Sequence, residues 1–505
     1  MSTILAATPF VGPGIEWFAL SPLLALLAGA LLILLVGSLT PPWKRGGYAA
    51  FTSLTALVAG VLAVIQWNRI DDNGAKTLVG GSVAFDKFTI FAIIAICIAL
   101  LLTSLTSEDE VRASNEEGPE IFGLFMLAAV GAGVMVAAND LILLFLGLET
   151  MSLALYTLAA KERRNSEGQE AGLKYFILGG FSSAFFLYGI ALIYGATSST
   201  NVSIINETLR GAVRADGNDV LLLVGIGLLL IGLGFKVSAV PFHVWSPDVY
   251  QGSPTPVTGF MASVGKVAAF AAFSRVFISG LIYRADDWRP AVWVIAVATL
   301  VVGSVLAVRQ TNVKRMLAYS SISHAGFMLI GIEAAAHVAS DDAANGISAI
   351  AVYLLLYAVL VCGTFAVVTA LAKDGGGTEL KDFAGAARRR PALALGLTVL
   401  LLSQAGVPLT SGFVAKFGVI KAAVEVESYA IAIIAMLSAV IAAYLYLRIM
   451  VAVWLADSPE ETEAPARLPF SLALSVVLAV GFTLVVGIYP QWVLSLGDSL
   501  TVLIR

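Results

Sequence analysis

The chain of 505 residues is 59% hydrophobic and only 13% charged, with a mean hydropathy of +0.90, which leaves too little polar surface to cover a soluble globule of that size. Its formal net charge of −4 is small for the length and offers no electrostatic footprint for a nucleic acid. Composition therefore excludes a soluble enzyme and a nucleic-acid-binding module, and predicts an all-α polytopic membrane protein.

About fourteen apolar runs approach the ~20 residues with which a helix crosses a ~30 Å hydrocarbon core. They cover residues 17–38, 49–66, 84–106, 120–138, 139–160, 172–196, 219–240, 254–280, 290–308, 314–335, 346–372, 391–424 with an interruption after 407, 429–455 and 468–494. Each is continuously apolar rather than alternating in ~10-residue segments, so they read as helices and not as barrel strands. No lysine or arginine precedes Lys44, so the N-terminus lacks the basic region of a cleavable signal peptide and is expected to stay attached. Of the 30 Lys and Arg, sixteen fall on the side reached after the first span, ten on the other, and four within spans: Lys236, Lys266, Lys416 and Arg448. The excess of basic residues on cytoplasmic loops then places both termini outside the cytoplasm. Two acidic loops, residues 107–120 and 457–463, weigh against that orientation.

The sequence holds no dinucleotide fingerprint, no CxxC pair and no HExxH. Residues 259–266 approach a phosphate loop but have five residues between the glycines and Val267 in place of the hydroxyl, a chance match within a helix. Cys97 and Cys362 fall in apolar runs without metal-type spacing and read as packing residues. Asn201 and Asn206 begin glycosylation acceptors, relevant only in a eukaryotic secretory pathway. No recognisable motif holds a flavin, a haem or an iron–sulfur cluster, so redox chemistry is expected on other chains.

What stands out instead is ionisable residues where solubility asks for none. Glu149, Lys236, Lys266 and Lys416 lie deep in apolar runs, each lysine at a cost of roughly 2.5–3.5 kcal/mol even on lenient insertion scales, so intramembrane charges are read as functional sites. Proton movement is the chemistry they suggest. The bland alternative for the lysines is snorkelling to the interface, and for Arg448 a structural contact. Lys236 precedes Pro241 by five residues and Lys416 follows Pro408 by eight. Proline within a span interrupts the helix and is tolerated where protein or water surrounds the break. Broken spans 7 and 12, five spans apart, are the pattern of two five-helix repeats, and an odd number of helices inverts the second relative to the first. The corresponding regions are residues 1–119 (three N-terminal spans), 120–283 (first repeat, spans 4–8), 284–456 (second repeat, spans 9–13) and 457–505 (C-terminal helix region). His324, beside serines 320, 321 and 323 and Tyr319, is a candidate proton relay or a packed histidine; His243 sits by the first break, and His337 reads as an exposed loop residue.

Five blocks in order, GLETMSLALYTL at 147–158, LKYFILGGFSSAFFLYGIALIYG at 173–195, GFKVSAVPFHVWSPDVYQGSPTPVTGFMASVGKVAAF at 234–270, NVKRMLAYSSISHAGFM at 312–328 and GVPLTSGFVAKF at 406–417, resemble the antiporter-like membrane subunits of respiratory complex I, a proton-pumping NADH:quinone oxidoreductase. ASVGK around Lys266 and GFVAKF around Lys416 resemble its subunit N branch. The resemblance implies fourteen helices with two inverted repeats, and proton translocation driven by quinone reduction elsewhere. It implies that Glu149, Lys236, Lys266 and Lys416 transfer protons, with His324 as a relay. It further implies that NADH, FMN, iron–sulfur clusters and quinone belong to other subunits, none being held by this chain. The expected partners are the other membrane subunits of such a complex, namely the antiporter-like M and L, the small K, J and A, and H, within a bacterial inner (plasma) membrane. A cation/proton antiporter subunit of the same fold is the alternative, and a purely structural role a third. The eleventh span departs from the L and M pattern, having no ionisable group beyond Tyr353, Tyr357 and Cys362, so a path from Lys266 to Lys416 must use water, tyrosine or His324. At an assumed ~6 Å and an effective dielectric of ~20, Glu149 would attract Lys236 by about 2.8 kcal/mol, enough to tune a buried amine by about two pK units.

Overall fold

The apolar runs fold as helices, as satisfaction of every backbone group inside a bilayer requires. The computed structural model describes residues 14–44, 46–113, 118–162, 165–211, 219–337, 342–457 and 467–500, with 12, 340 and 503. Among them, twelve helical segments are long and apolar enough to cross a membrane. The two other expected spans are Val313–Ala335, which has the length but carries His324, Glu333 and four hydroxyl side chains, and a pair of shorter helices separated by a break. Part of the acidic loop at 457–463 lies outside the described residues, as do Arg45, Arg163 and Arg164.

Helices α1 (Ser21–Leu39), α2 (Gly47–Asn73) and α3 (Lys87–Ala113) form the N-terminal region. Between α2 and α3 lies a small antiparallel hairpin, β1 (Lys76–Leu78) with β2 (Val83–Phe85), Thr77 facing Ala84. This departs from an all-helical chain: Gly80 and Gly81 have positive φ and turn the loop tightly enough for its flanks to pair. Next come α4 (Pro119–Ala137), α5 (Leu141–Ala159), α6 (Ser166–Thr197), the short α7 (Val202–Gly211), and α8 (Asp219–Lys236), which is separated by a break from α9 (Trp245–Gly252). Proline at the first turn starts α4, and the side chains of Asp140 and Asn165 accept backbone N–H groups at the starts of α5 and α6. α4 and α5 meet closely enough that a Cβ on Gly131 would lie 2.3 Å from the Met151 amide nitrogen.

The eighth span, Thr255–Gly280, is not a regular α-helix. Two α segments, α10 (Thr255–Phe260) and α11 (Lys266–Phe273), alternate with π-helical turns at Met261–Gly265 and Ser274–Gly280. There follow α12 (Ala285–Val308), α13 (Val313–Ala335), α14 (Ala343–Gly375), the single turn α15 (Ala386–Arg389), α16 (Pro391–Ala405), α17 (Ser411–Glu425), α18 (Tyr429–Leu455), α19 (Phe470–Ile488) and α20 (Gln491–Asp498). Span 8 and α14 are almost wholly buried, whereas α1, α6, α18 and α19 turn apolar faces outward. The charged candidates therefore sit at the centre of the molecule, on or beside its two most enclosed helices.

Two arginines are placed by the fold in ways that composition does not reveal. Arg448, read above as a span residue with a structural alternative, donates to the carbonyls of Val308 and Gln310, satisfying the C-terminal end of α12 as a cation there should. Arg275, which lies near the end of the 254–280 run but is not among the four span residues named above, is fully buried in span 8 and holds Asp86 bidentately, with N···O distances of 2.6 and 3.0 Å, while also donating to Thr89. Arg275→Leu leaves a buried carboxylate without its guanidinium, a loss of roughly 3–5 kcal/mol for a broken buried pair. The expected result is a lower thermal midpoint or poor assembly, largely relieved when Asp86→Leu is added, measured by melting of the detergent-solubilised complex.

Candidate proton-transfer site

Each proline-linked break frees a backbone carbonyl that a lysine then uses. Helix α8 ends at Lys236, and the chain passes Ser238 at a positive φ of 60° before Pro241 and α9. Asp248 on α9 pairs with Lys174 of α6 and Arg315 of α13, both at 2.6 Å, which clamps the second half of the broken span between its neighbours. Lys236 is only 6% exposed. Its Nζ donates to Ser152 Oγ at 2.8 Å and Tyr156 Oη at 3.2 Å, and it also lies 5.5 Å from the Tyr156 ring centroid.

Glu149, Ser152 and Tyr156 share one face of α5, at spacings of three and four residues. Ser183 of α6 donates to the half-buried Glu149 carboxylate. Glu149 lies within electrostatic range of Lys236 and Tyr156. It makes no ion pair with Lys236 within 4 Å among the described residues, and the lysine's hydrogen bonds go to Ser152 and Tyr156 on the same face of α5. Gly179 on α6 makes room for the tyrosine: a Cβ there would sit 1.9 Å from the Tyr156 hydroxyl.

Lys266 begins α11 directly after the first π-helical turn of span 8 and is 2% exposed. Helix bulges of this type often coincide with functional positions. Its Nζ donates to Val237 O at 3.3 Å, the carbonyl just past the end of α8, and to Ser321 O of α13 at 2.6 Å. The first break thus links Lys236 to Lys266 through a single residue of backbone. Lys416, 6% exposed on α17, donates at 3.1 Å to the carbonyl of Ala405, the last residue of α16, and lies 4.9 Å from the Phe327 ring centroid. Gly406, at φ 90°, turns the chain out of α16. None of the three lysines snorkels, and none has a carboxylate within 4 Å among the described residues.

Between Lys266 and Lys416 lie two hydrogen-bonded sets of hydroxyl, imidazole and amide groups, adjacent where the Tyr357 and His324 ring centroids are 5.0 Å apart. Tyr357 donates to Ser321 Oγ at 2.8 Å, on the residue whose carbonyl holds Lys266. His324 Nδ1 is 2.6 Å from Tyr353 Oη, and its Nε2 is 3.4 Å from Tyr446 Oη. Tyr446 bonds Ser320 at 2.6 Å, Ser320 donates to Gln404 Oε1 at 3.1 Å, and Gln404 donates to Thr364 at 2.7 Å. Gln404 precedes Ala405, the acceptor of Lys416. His324 itself lies within electrostatic range of both lysines.

The structure places Lys236, Lys266, His324 and Lys416 along the buried centre, with the half-buried Glu149 on the α5 face that holds Lys236. The residues that sequence reasoning missed are Ser152, Tyr156 and Ser183 around the first lysine, and Tyr446 and Gln404 around the second, where Ser320 and Ser321 had already been read beside His324. Ser152 and Tyr156 carried a readable signal, since they repeat at helical spacing from Glu149. Tyr446 and Gln404 carried none, because only the tertiary packing of α16 and α18 on α13 turns them toward His324. Cys97 and Cys362 are both buried and free, as packing residues should be. Asn206 is buried and donates to Ser279 O, and Asn201 accepts backbone N–H groups at the start of α7.

The family model described as "NADH:quinone oxidoreductase/Mrp antiporter, TM" matches residues 138–442, the interval that contains every residue of this site except Tyr446. A Streptomyces griseus protein named NADH-quinone oxidoreductase subunit N 3 is 40% identical over 551 residues, covering 100% of this chain and 98% of its own. A solved respiratory complex I from Thermus thermophilus contains a chain that superposes with a TM-score of 0.78 at 33% identity, covering 94% of this chain and 99% of that one. A chain of the Mrp complex from a Dietzia species superposes with a TM-score of 0.84 at 20% identity over 96% of this chain and 97% of its own, a likeness of fold alone.

Proposed function

Because the chain belongs to the NADH:quinone oxidoreductase/Mrp antiporter family, we propose that it is the proton-translocating subunit N of a proton-pumping NADH:quinone oxidoreductase. In this reading it is a translocase without a redox centre of its own. NADH, FMN, iron–sulfur clusters and quinone are bound by other subunits, and the chain works beside the M, L, K, J, A and H subunits in a bacterial plasma membrane, with both termini outside. The regions 120–283 and 284–456 are the two inverted repeats. The observation that carries the reading is three buried lysines without a carboxylate within 4 Å among the described residues, with Lys266 held by the carbonyl next to Lys236 and His324 within electrostatic range of both Lys266 and Lys416.

The physical basis of the step is the balance on Lys236. Burial disfavours an ammonium, while a nearby carboxylate favours it. When the charge of Glu149 is neutralised or drawn away, Lys236 loses that support and gives its proton, through the groups at the first break, toward Lys266. Lys266 passes it by way of Ser321, Tyr357, His324 and Tyr446 toward Lys416. Moving one charge across the membrane costs about 2.3 kcal/mol per 100 mV. That is close to the whole attraction available from one carboxylate at ~6 Å and an effective dielectric of ~20, so the cycle requires coupling to neighbouring subunits. The half-buried position of Glu149, between α5 and the outward face of α6, leaves it within reach of such a neighbour.

Glu149→Gln keeps the shape and removes the charge, so redox-driven proton pumping by the assembled complex should fall clearly, with Glu149→Asp retaining part of it. Equal pumping by all three forms in reconstituted vesicles would show that the carboxylate does not tune Lys236. The second reading, a cation/proton antiporter subunit, draws on the Mrp likeness, but the subunit N relative at 40% identity favours the first.

A further inference from the structure

A second cluster of buried and half-buried charge lies away from the central run, where α12, α13, α17 and α18 meet. Glu333, near the end of α13, is 3% exposed. Its Oε1 accepts from His337 Nε2 at 2.9 Å and from Ser428 Oγ at 3.2 Å, while its Oε2 is buried with no hydrogen-bond partner among the described residues. His337, expected from sequence to be an exposed loop residue, has a side chain only 21% exposed. It faces a cavity of about 670 Å³, whose wall also includes Tyr283, Asp286, Arg289, Glu425 and Glu427. The alternation of spans puts this cavity on the same side as the N-terminus, the side proposed to be outside.

Arg289 reaches His337 from the cavity, its NH1 lying 3.0 Å from Nδ1. A guanidinium only donates, so Nδ1 is the acceptor and the imidazole proton sits on Nε2, aimed at Glu333. That tautomer is set to pass protons inward. A cavity hydronium could protonate Nδ1 and become water, while the Nε2 proton moves to Glu333 Oε1 and turns the carboxylate into the acid. Arg289 occupies the one atom at which this exchange begins, and it brings a positive charge that repels an incoming proton.

We propose that Arg289 is a seal that stops protons from the cavity returning through His337 to Glu333, and hence a positioning residue that preserves the gradient the pump builds. The proposal rests on the proton-pumping reading above. The cavity wall carries the carboxylates of Asp286, Glu425 and Glu427, of which Glu425 is paired with Lys421, so proton-accepting groups lie next to His337 and a seal there has protons to hold back. Glu333, buried and with Oε2 lacking a hydrogen-bond partner among the described residues, is the inward acceptor.

The test uses the whole complex in proteoliposomes, with no NADH present, and follows passive proton entry under a potassium diffusion potential. Arg289→Gln should leak protons several-fold faster than the parent, Arg289→Lys should stay near the parent because it keeps the cation, and adding His337→Phe to Arg289→Gln should return the leak to the parental rate. A second measurement needs no change at Arg289: acidifying the cavity side should raise the leak of the parent complex, as protonation of Nδ1 displaces the guanidinium, and His337→Phe should abolish that rise. A leak unchanged by Arg289→Gln, a leak that persists when His337 is removed, or an acid response that survives His337→Phe overturns the seal. Redox-driven pumping by the parent complex in the same vesicles tests the underlying function separately, since the passive leak does not depend on turnover.

Discussion

Lys266→Arg should abolish most redox-driven proton pumping through this subunit, nearly as completely as Lys266→Ala. The reason is chemical rather than electrostatic. A junction must both accept and release a proton, and a guanidinium stays charged at any pH a protein tolerates. Lys266 is the proposed junction because it is held by Val237 O at the first helix break and by Ser321 O beside the hydroxyl and imidazole groups toward Lys416. Were it instead a fixed positive charge biasing its neighbours, arginine would preserve most of the activity. Pumping measured on both mutants in matched vesicles separates the two, with assembly checked by native electrophoresis. Near-normal pumping by the arginine form contradicts the relay role.

Lys236→Ala should impair pumping with the complex still assembled. The lysine ends α8 rather than filling its middle, so its removal costs little helix. What is lost is the one amine hydrogen-bonded to both Ser152 and Tyr156 on the face of α5 that carries Glu149. Lys236→Arg should not rescue pumping, for the reason given for Lys266. A proton-to-electron ratio in the alanine form equal to that of the parent complex contradicts the assignment.

The spans were legible because a membrane leaves a helix few ways to satisfy its backbone, so an unbroken apolar run has one reading. The breaks were legible for the same reason, since Pro241 and Pro408 interrupt runs that would otherwise continue. The four charged candidates announced themselves by cost: a lysine inside an apolar helix has to be explained. What remained hidden was everything that depends on which way a side chain turns. Arg275 falls near the end of its run and was not among the span residues singled out, yet π-helical turns carry it inward to Asp86. Tyr446 carried no signal in the sequence, and His337 read as an exposed loop residue, until packing placed them beside His324 and Glu333. Glu149 stays within electrostatic range of Lys236, and what the sequence did not reveal is that Ser152 and Tyr156 take the lysine's hydrogen bonds.

Proton transfer along one series path makes a claim about additivity that no single mutant tests. Residues acting in series lose their common function once, whichever is removed, whereas independent contributors add their losses. The decisive measurement is therefore the proton-to-electron ratio of the assembled complex with Lys236→Ala, with Lys266→Ala, and with both, in the same sealed vesicles. A single series path predicts that all three fall to the same lowered ratio, while a double mutant that pumps with the parental ratio, or that loses the sum of two separate deficits, contradicts it.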